Sequence, residues 1–195
     1  MTQVAPHLKA LHSTWTGTAL GNVWLLEDAM RMKFLIDTGH PLMRVPLIAQ
    51  LWENQIRLPG DLNGILLTHR HTDHAGNAAF FRKRWGAKVF IHEDDAGILS
   101  GRIAAPRSLK TREEQKESGT QRFYQKIKAS YDDLAHPHCE VDEPLTHGYW
   151  KWGFFIFHVP GHTEGSVMIY HEPTRTLFSG DAITVTPEIK LGPFS

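Results

Sequence analysis

The sequence predicts an α/β fold, an αβ/βα sandwich, and two observations carry that prediction. The chain reads as two β-rich halves, the first with helical stretches between its strands and the second with strands joined by tight turns. Each half also delivers a group of histidine and aspartate residues from the ends of strands. No internal repeat and no linker divides the 195 residues, so residues 1–195 are expected to form one domain with a single core.

Taken in order, residues 19–26 and 31–36 read as strands joined by a turn at 27–30, with Val23, Leu25 and Phe34-Leu35-Ile36 facing the core. Asp37-Thr38-Gly39 ends the second strand. Residues 41–55 read as a helix because Leu42, Val45, Ile48, Ala49 and Trp52 recur at three- and four-residue intervals; Pro46 makes it start late or kink. Residues 63–68 form a buried strand, and 76–85 a helix with Ala79, Phe80 and the stem of Lys83 on one side. Residues 87–92 are the next strand, and Glu93-Asp94-Asp95 opens a short helix with acids where its dipole favours them. His92 reads as a strand-end residue.

Residues 100–140 differ in character, a polar helical insertion with a stripe at Phe123, Ile127, Tyr131 and Leu134. His136-Pro137-His138-Cys139 alternates like a ligand cluster, but the proline and the lack of a structural zinc partner elsewhere make it a loop. Beyond it, 149–159 is a pair of strands folding about Gly153, and 166–170 and 176–179 are a hairpin.

Composition narrows the function. Lys+Arg and Asp+Glu both number 21, so no long-range field is predicted for nucleic acid or an anionic membrane. The single cysteine, Cys139, excludes an internal disulfide and suits a reducing compartment. The first 15 residues lack a signal-peptide core, and no apolar run approaches membrane-spanning length, so a cytoplasmic protein is expected.

The chemistry concentrates in Thr68-His69-Arg70-His71-Thr72-Asp73-His74, directly after the apolar run Ile65-Leu66-Leu67. In an extended segment side chains alternate, so His69 and His71 point the same way and can share one ion. Asp73 and His74 can reach a second ion beside it. Imidazole and carboxylate donors without thiolate suit zinc or iron. The position matters as well, since open α/β sheets gather their sites at the carboxyl ends of strands.

This His-x-His-x-Asp-His run resembles the signature of the metallo-β-lactamase fold superfamily. Ile36-Asp37-Thr38-Gly39 resembles the family's early strand-end loop. Pro160-Gly161-His162-Thr163 with Gly165-Ser166 resembles its third-histidine loop, and Ser179-Gly180-Asp181 its bridging aspartate. The four motifs stand in the family's order.

The resemblance implies a four-layer αβ/βα sandwich, with His69, His71 and His162 on one metal and Asp73, His74 and Asp181 around a second, Asp181 lying between. It implies one or two zinc ions, with iron or manganese as alternatives, and a metal-activated water that Asp73, as the catalytic carboxylate, would hold in line or whose proton it would take up. Asp37 is either a plain turn residue or, as the resemblance suggests, a brace for the metal loop. The insertion at about 100–140 would lie over the site, with Phe123, Tyr124 and Tyr131 as pocket wall or as simple packing.

The function implied is a metal-dependent hydrolase of a small-molecule ester, thioester, lactone or similar bond, as in the glyoxalase II-like and lactonase-like branches. No nucleic-acid or membrane partner is expected. Two alternatives stand beside it: a mononuclear iron oxidoreductase like the sulfur dioxygenases, and an incomplete, non-catalytic domain. One departure bears on all three. Dinuclear relatives supply a further histidine after the bridging aspartate, whereas residues 182–195 contain none. The sandwich is therefore expected without its last strand and helix. Either the chain is shorter than its relatives or a second ion has fewer protein ligands.

Overall fold

Successive side chains of a strand face opposite ways, and the apolar strands of this chain use both sides. The structure is a computed structural model and describes residues 1–5, 7–11, 21–104, 138–185 and 189–191. Its first half contains strands β1 (Thr2–Ala5), β2 (Leu8–Leu11), β3 (Val23–Glu27), β4 (Lys33–Ile36), β5 (Gly64–Leu66), β6 (Lys88–His92) and β7 (Glu143–Leu145). They form one sheet in sequence order, antiparallel from β1 to β4 and parallel from β4 to β7. Helices α1 (Arg44–Glu53), α2 (Thr72–Ala75), α3 (Ala78–Trp85) and α4 (Glu93–Leu99) lie between its parallel strands or follow them.

Val23, Leu25, Leu35, Ile65, Val89 and Ile91 point to one face and pack with Met43, Leu47, Leu51, Phe81 and Trp85. Their neighbours Leu26, Phe34, Ile36, Leu66 and Phe90 point to the other face. There they meet Phe154, Ile156, Val167, Ile169 and Phe178 of a second sheet. That sheet is antiparallel, built from β8 (Trp150–Lys151), β9 (Phe154–His158), β10 (Val167–His171) and β11 (Thr176–Phe178) in the order β11-β10-β9-β8. Helix layer, sheet and sheet are three layers of the expected sandwich; no helix covers the outer face of the second sheet among the described residues. A short pair after Asp181, β12 (Ile183–Val185) with β13 (Ile189–Leu191), was not anticipated from the sequence.

Two expected helix faces are corrected. In the 41–55 stretch the chain makes a 3-10 turn over Pro41–Met43 before α1 begins, so Pro46 falls in the first turn, where its missing N–H costs no bond. The buried stripe is Met43, Leu47 and Leu51, while Leu42, Val45 and Trp52 of the expected stripe are exposed. Both faces of this segment are apolar, so spacing alone could not choose between them. In α3 the buried residues are Ala78, Phe81 and Trp85, with Lys83 exposed and Ala79 and Phe80 only partly buried.

The carboxyl ends of β4, β5 and β6 lie side by side, as parallel strands require, and the loops that leave them are tied together. Thr38 N and Oγ1 both donate to the His74 carbonyl, at 2.6 and 2.8 Å. The fully buried Asn77 amide donates to the carbonyls of Thr38, Gly39 and His40. Val167 N donates to the Thr68 carbonyl at 2.9 Å, fastening the second sheet to the same loop.

The insertion helix, with Phe123, Tyr124 and Tyr131, lies outside the described residues, as does His136.

Candidate metal centre

The loop after β5 begins with Thr68, whose backbone N donates to Asp37 Oδ1 and whose Oγ1 donates to Asp37 Oδ2, each at 2.8 Å. With its one proton given to Asp37, Thr68 Oγ1 can only accept from His69 Nδ1, 3.2 Å away. The proton of His69 therefore sits on Nδ1 and leaves a bare lone pair on Nε2. That Nε2 is buried and has no hydrogen-bond partner. Burial, reinforced by the imidazoles of His74, His71 and His162, holds the His69 pKa well below the ordinary histidine value. A neutral imidazole with an unshared, buried nitrogen is a ligand waiting for a cation.

His71 follows in extended backbone, as the spacing predicts, and its Nδ1 lies 2.9 Å from His162 Nε2. The rings of His69, His71 and His162 stand nearly edge-on to one another, with centroids 4.6 to 4.8 Å apart. One donor atom from each falls within 4.8 Å of the other two. Burial, with His162 next, lowers His71 to about 4, and burial also lowers His162. All three stay neutral at pH 7, the state metal ligation requires.

Asp73 and His74 lie on α2, a single turn that sets their side chains beside the histidine group. His74 Nδ1 is held by Asp37 Oδ2 at 2.8 Å, so its Nε2 faces inward, 3.1 Å from Asp181 Oδ1 and 3.8 Å from Asp73 Oδ2. The other oxygen of Asp181, Oδ2, is 3.3 Å from His162 Nε2. Asp181 thus presents one oxygen to each histidine group, and His69, His74 and Asp181 form a second set of donors within 4.8 Å of one another. Burial works to lower His74, but Asp37, with Asp181 and Asp73, overrides it and raises the pKa to about 10. A positive charge is favoured here, whether carried by a proton or by a divalent ion.

The donor set fits a first-row metal: nitrogen and carboxylate oxygen, one buried nitrogen without a partner, and carboxylates that stabilise positive charge. A model of the metallo-beta-lactamase superfamily matches residues 16–194. The chain belongs to this superfamily. It is 26% identical over 170 residues to the probable metallo-hydrolase YybB of Bacillus subtilis, a match covering 86% of this chain and 64% of that protein. It is 31% identical over 163 residues to a hydroxyacylglutathione hydrolase of Pseudomonas aeruginosa, covering 83% of this chain and 46% of the hydrolase. Among solved structures, TTHA1623 in a di-iron-bound form superposes with a TM-score of 0.61 at 25% identity, covering 88% of this chain and 70% of the other. The chain thus spans about half to two thirds of the length of these two curated relatives.

Within this metallo-beta-lactamase superfamily member, all six residues singled out from the sequence, His69, His71, Asp73, His74, His162 and Asp181, meet in one place. Asp37, left open between turn and brace, holds both Thr68 and His74. Thr68 was missed; nothing in the letters distinguishes it from any threonine ending a strand. His138 is exposed, packs on Gly101 and joins none of the donor groups found among the described residues. Cys139 is in the core, its thiol pushed up to about 12 by burial, so it offers no thiolate nucleophile.

His92, Asp94 and His158 also lie close enough to hold an ion. One nitrogen of each histidine is otherwise engaged: His92 Nδ1 accepts from Asp94 N at 3.3 Å as the cap of α4, and His158 Nε2 bonds the Glu164 carbonyl at 2.8 Å. The group sits at the positive end of α4, where a cation is disfavoured. His92 is a cap at the strand's end.

Proposed function

We propose that this protein is a metal-dependent hydrolase of a small-molecule ester, thioester or lactone, with zinc as its resident ion. One observation carries the reading: Asp181 reaches His74 with one oxygen and His162 with the other, placing two sets of donors around a shared carboxylate. His69, His71 and His162 would hold one ion, and Asp73, His74 and Asp181 would hold the other. When bound, such ions supply a water of lowered pKa and polarise the carbonyl to be attacked.

The chain's own residues do the rest. Thr68 fixes the tautomer of His69, so that its inward Nε2 carries no proton to be displaced, while Asp37 orients His74, whose inward Nε2 would exchange its proton for an ion. Asp73 is partly exposed at the centre and is the carboxylate placed to hold the attacking water or accept its proton. The names of two relatives, a metallo-hydrolase and a hydroxyacylglutathione hydrolase, support hydrolysis, and the latter supports a thioester. A mononuclear iron oxidoreductase would use only the first donor set, leaving the braced second set without a task. A cytoplasmic setting completes the reading, and no described helix is long and apolar enough to cross a membrane.

The test is elemental analysis of the purified protein, followed by assay against thioesters, lactones and phosphodiesters. Turnover of a thioester or lactone, lost on chelation and restored by zinc, is expected. A metal-saturated protein inert to all of them, or one that holds a single iron and consumes oxygen, would overturn the proposal.

A further inference from the structure

Asp95 stands third in the acidic run that opens α4, where a carboxylate is ordinarily solvated. Here it is fully buried. Burying a lone carboxylate is prohibitive, so its partners define its role. Asp95 Oδ2 accepts from the backbone N of Arg70 at 3.0 Å and from Thr163 Oγ1 at 2.7 Å. Asp95 Oδ1 accepts from Arg70 Nη1 and from the backbone N of Gly165 at 3.3 Å. Both oxygens are filled, and every donor comes from one of two loops.

Those loops are the ones that carry the three imidazoles. Arg70 sits between His69 and His71, and Thr163 and Gly165 follow His162. The contact is also sterically exclusive. A Cβ at Gly165 would fall 2.7 Å from Asp95 Cγ and equally close to Asp95 N, so the His162 loop can come this near only because residue 165 has no side chain. The same loop is tightened internally, Thr163 N donating to Ser166 Oγ at 2.9 Å.

We propose that Asp95 is a positioning residue for the first metal: one carboxylate, reaching from α4 to both loops, sets the separation of His162 from the His69–His71 pair and so tunes affinity and coordination geometry. The inference rests on reading the three histidines as a metal site, but not on any hydrolytic activity. Asparagine at 95 would turn one acceptor oxygen into a donor facing donors, which is why the charge, and not only the shape, is needed.

The experiment compares the full-length protein with Asp95→Asn, Gly165→Ala and Thr163→Ser. Asp142→Asn serves as a control, because that carboxylate bonds Arg82 in the last turn of α3 and Val89 near the start of β6 and touches neither ligand loop in any hydrogen bond described. Zinc affinity is read by competition with a chromophoric chelator, and geometry by the absorption spectrum of the cobalt-substituted protein. Asp95→Asn is expected to weaken first-ion affinity about 10–100-fold, as loss of a residue that orients ligands does, and to shift the cobalt bands. Gly165→Ala, which leaves Asp95 intact but pushes the loop away, is expected to act in the same direction. Thr163→Ser retains the hydroxyl and the parent behaviour, and Asp142→Asn lowers stability without moving either reading.

Parent-like affinity and spectrum in Asp95→Asn would overturn the proposal. Should that variant not fold, the same outcome in Gly165→Ala would overturn it. A protein that binds zinc with these properties yet hydrolyses nothing would sink the hydrolase reading and leave this one standing.

Discussion

Asp37 and His74, 37 residues apart in sequence, are joined by a 2.8 Å contact between Oδ2 and Nδ1. Asp37 makes it from a left-handed backbone, φ +59°, at the end of β4. Aspartate tolerates that conformation better than most residues, and the resulting turn aims the carboxylate at the neighbouring strand's loop instead of at solvent. The same carboxylate takes both protons offered by Thr68. One side chain therefore orients a candidate ligand of each ion, His74 directly and His69 through Thr68.

Asp37→Ala should accordingly cost the second ion more than the first. His74 loses its direct partner, and outer partners of this kind are typically worth about 10–100-fold in affinity. The buried Thr68 N–H loses its acceptor too, at a cost of about 1–3 kcal/mol. Metal content after dialysis at fixed free zinc, together with urea unfolding, checks both effects. Two ions retained at parent affinity would refute the account.

His71→Ala should abolish binding of the first ion and turnover, since His71 is one of three imidazole donors gathered at the first site among the described residues. His138→Ala should leave metal content unchanged, and so should His136→Ala, whose position lies outside the described residues. Elemental analysis of the three purified variants separates the outcomes. Loss of metal in either of the latter two would restore the 136–139 cluster as a binding site.

Gly180→Ala tests how closely the Asp181 loop must approach. Gly180 has φ +52°, and a Cβ there would lie 2.7 Å from Thr68 Oγ1. The left-handed backbone alone costs a non-glycine residue about 1–2 kcal/mol, and relieving the overlap adds about 1–3 kcal/mol. Because the atom struck is the hydroxyl that fixes His69, turnover should fall together with the melting temperature. A variant as stable and active as the parent would show that Thr68 can move without consequence.

The site was legible where its ligands are local in sequence or stand in a recognisable loop. Four of the six candidate ligands stand between His69 and His74, where a strand end followed by alternating donors has few other physical uses, and His162 and Asp181 stand in loops recognised by their resemblance to the family's. What the letters hid depends on tertiary neighbours. Asp95 reads as a helix-opening acid, yet its burial is set by Arg70 and Thr163, 25 and 68 residues away. The core face of α1 was misassigned for a related reason: Met43, Leu47 and Leu51 recur every four residues and the exposed Leu42, Val45 and Trp52 at three and seven, both helical spacings, and only the sheet beneath decides between them.

Asp142 gives the last prediction, one about pH. Its Oδ1 and Oδ2 accept from Arg82 Nη2 and Nε, each at 3.0 Å, and Oδ2 also accepts from Val89 N at 2.9 Å. Burial works to raise its pKa, but the Arg82 pair and the Val89 amide outweigh burial and leave it below the usual aspartate value. A carboxyl that ionises more readily folded than unfolded adds stability above its unfolded pKa of about 3.9 and loses that stability as pH falls through the lower folded value. The pair is partly solvated, so about 0.5–1 kcal/mol is expected at neutral pH. Urea midpoints should therefore place Asp142→Asn below the parent at pH 7, with the gap closing below about pH 4 as the parent carboxyl gains its proton. An equal gap at both pH values would mean that the ionised carboxylate contributes nothing, and that the loss in Asp142→Asn comes from hydrogen bonding that asparagine fails to reproduce.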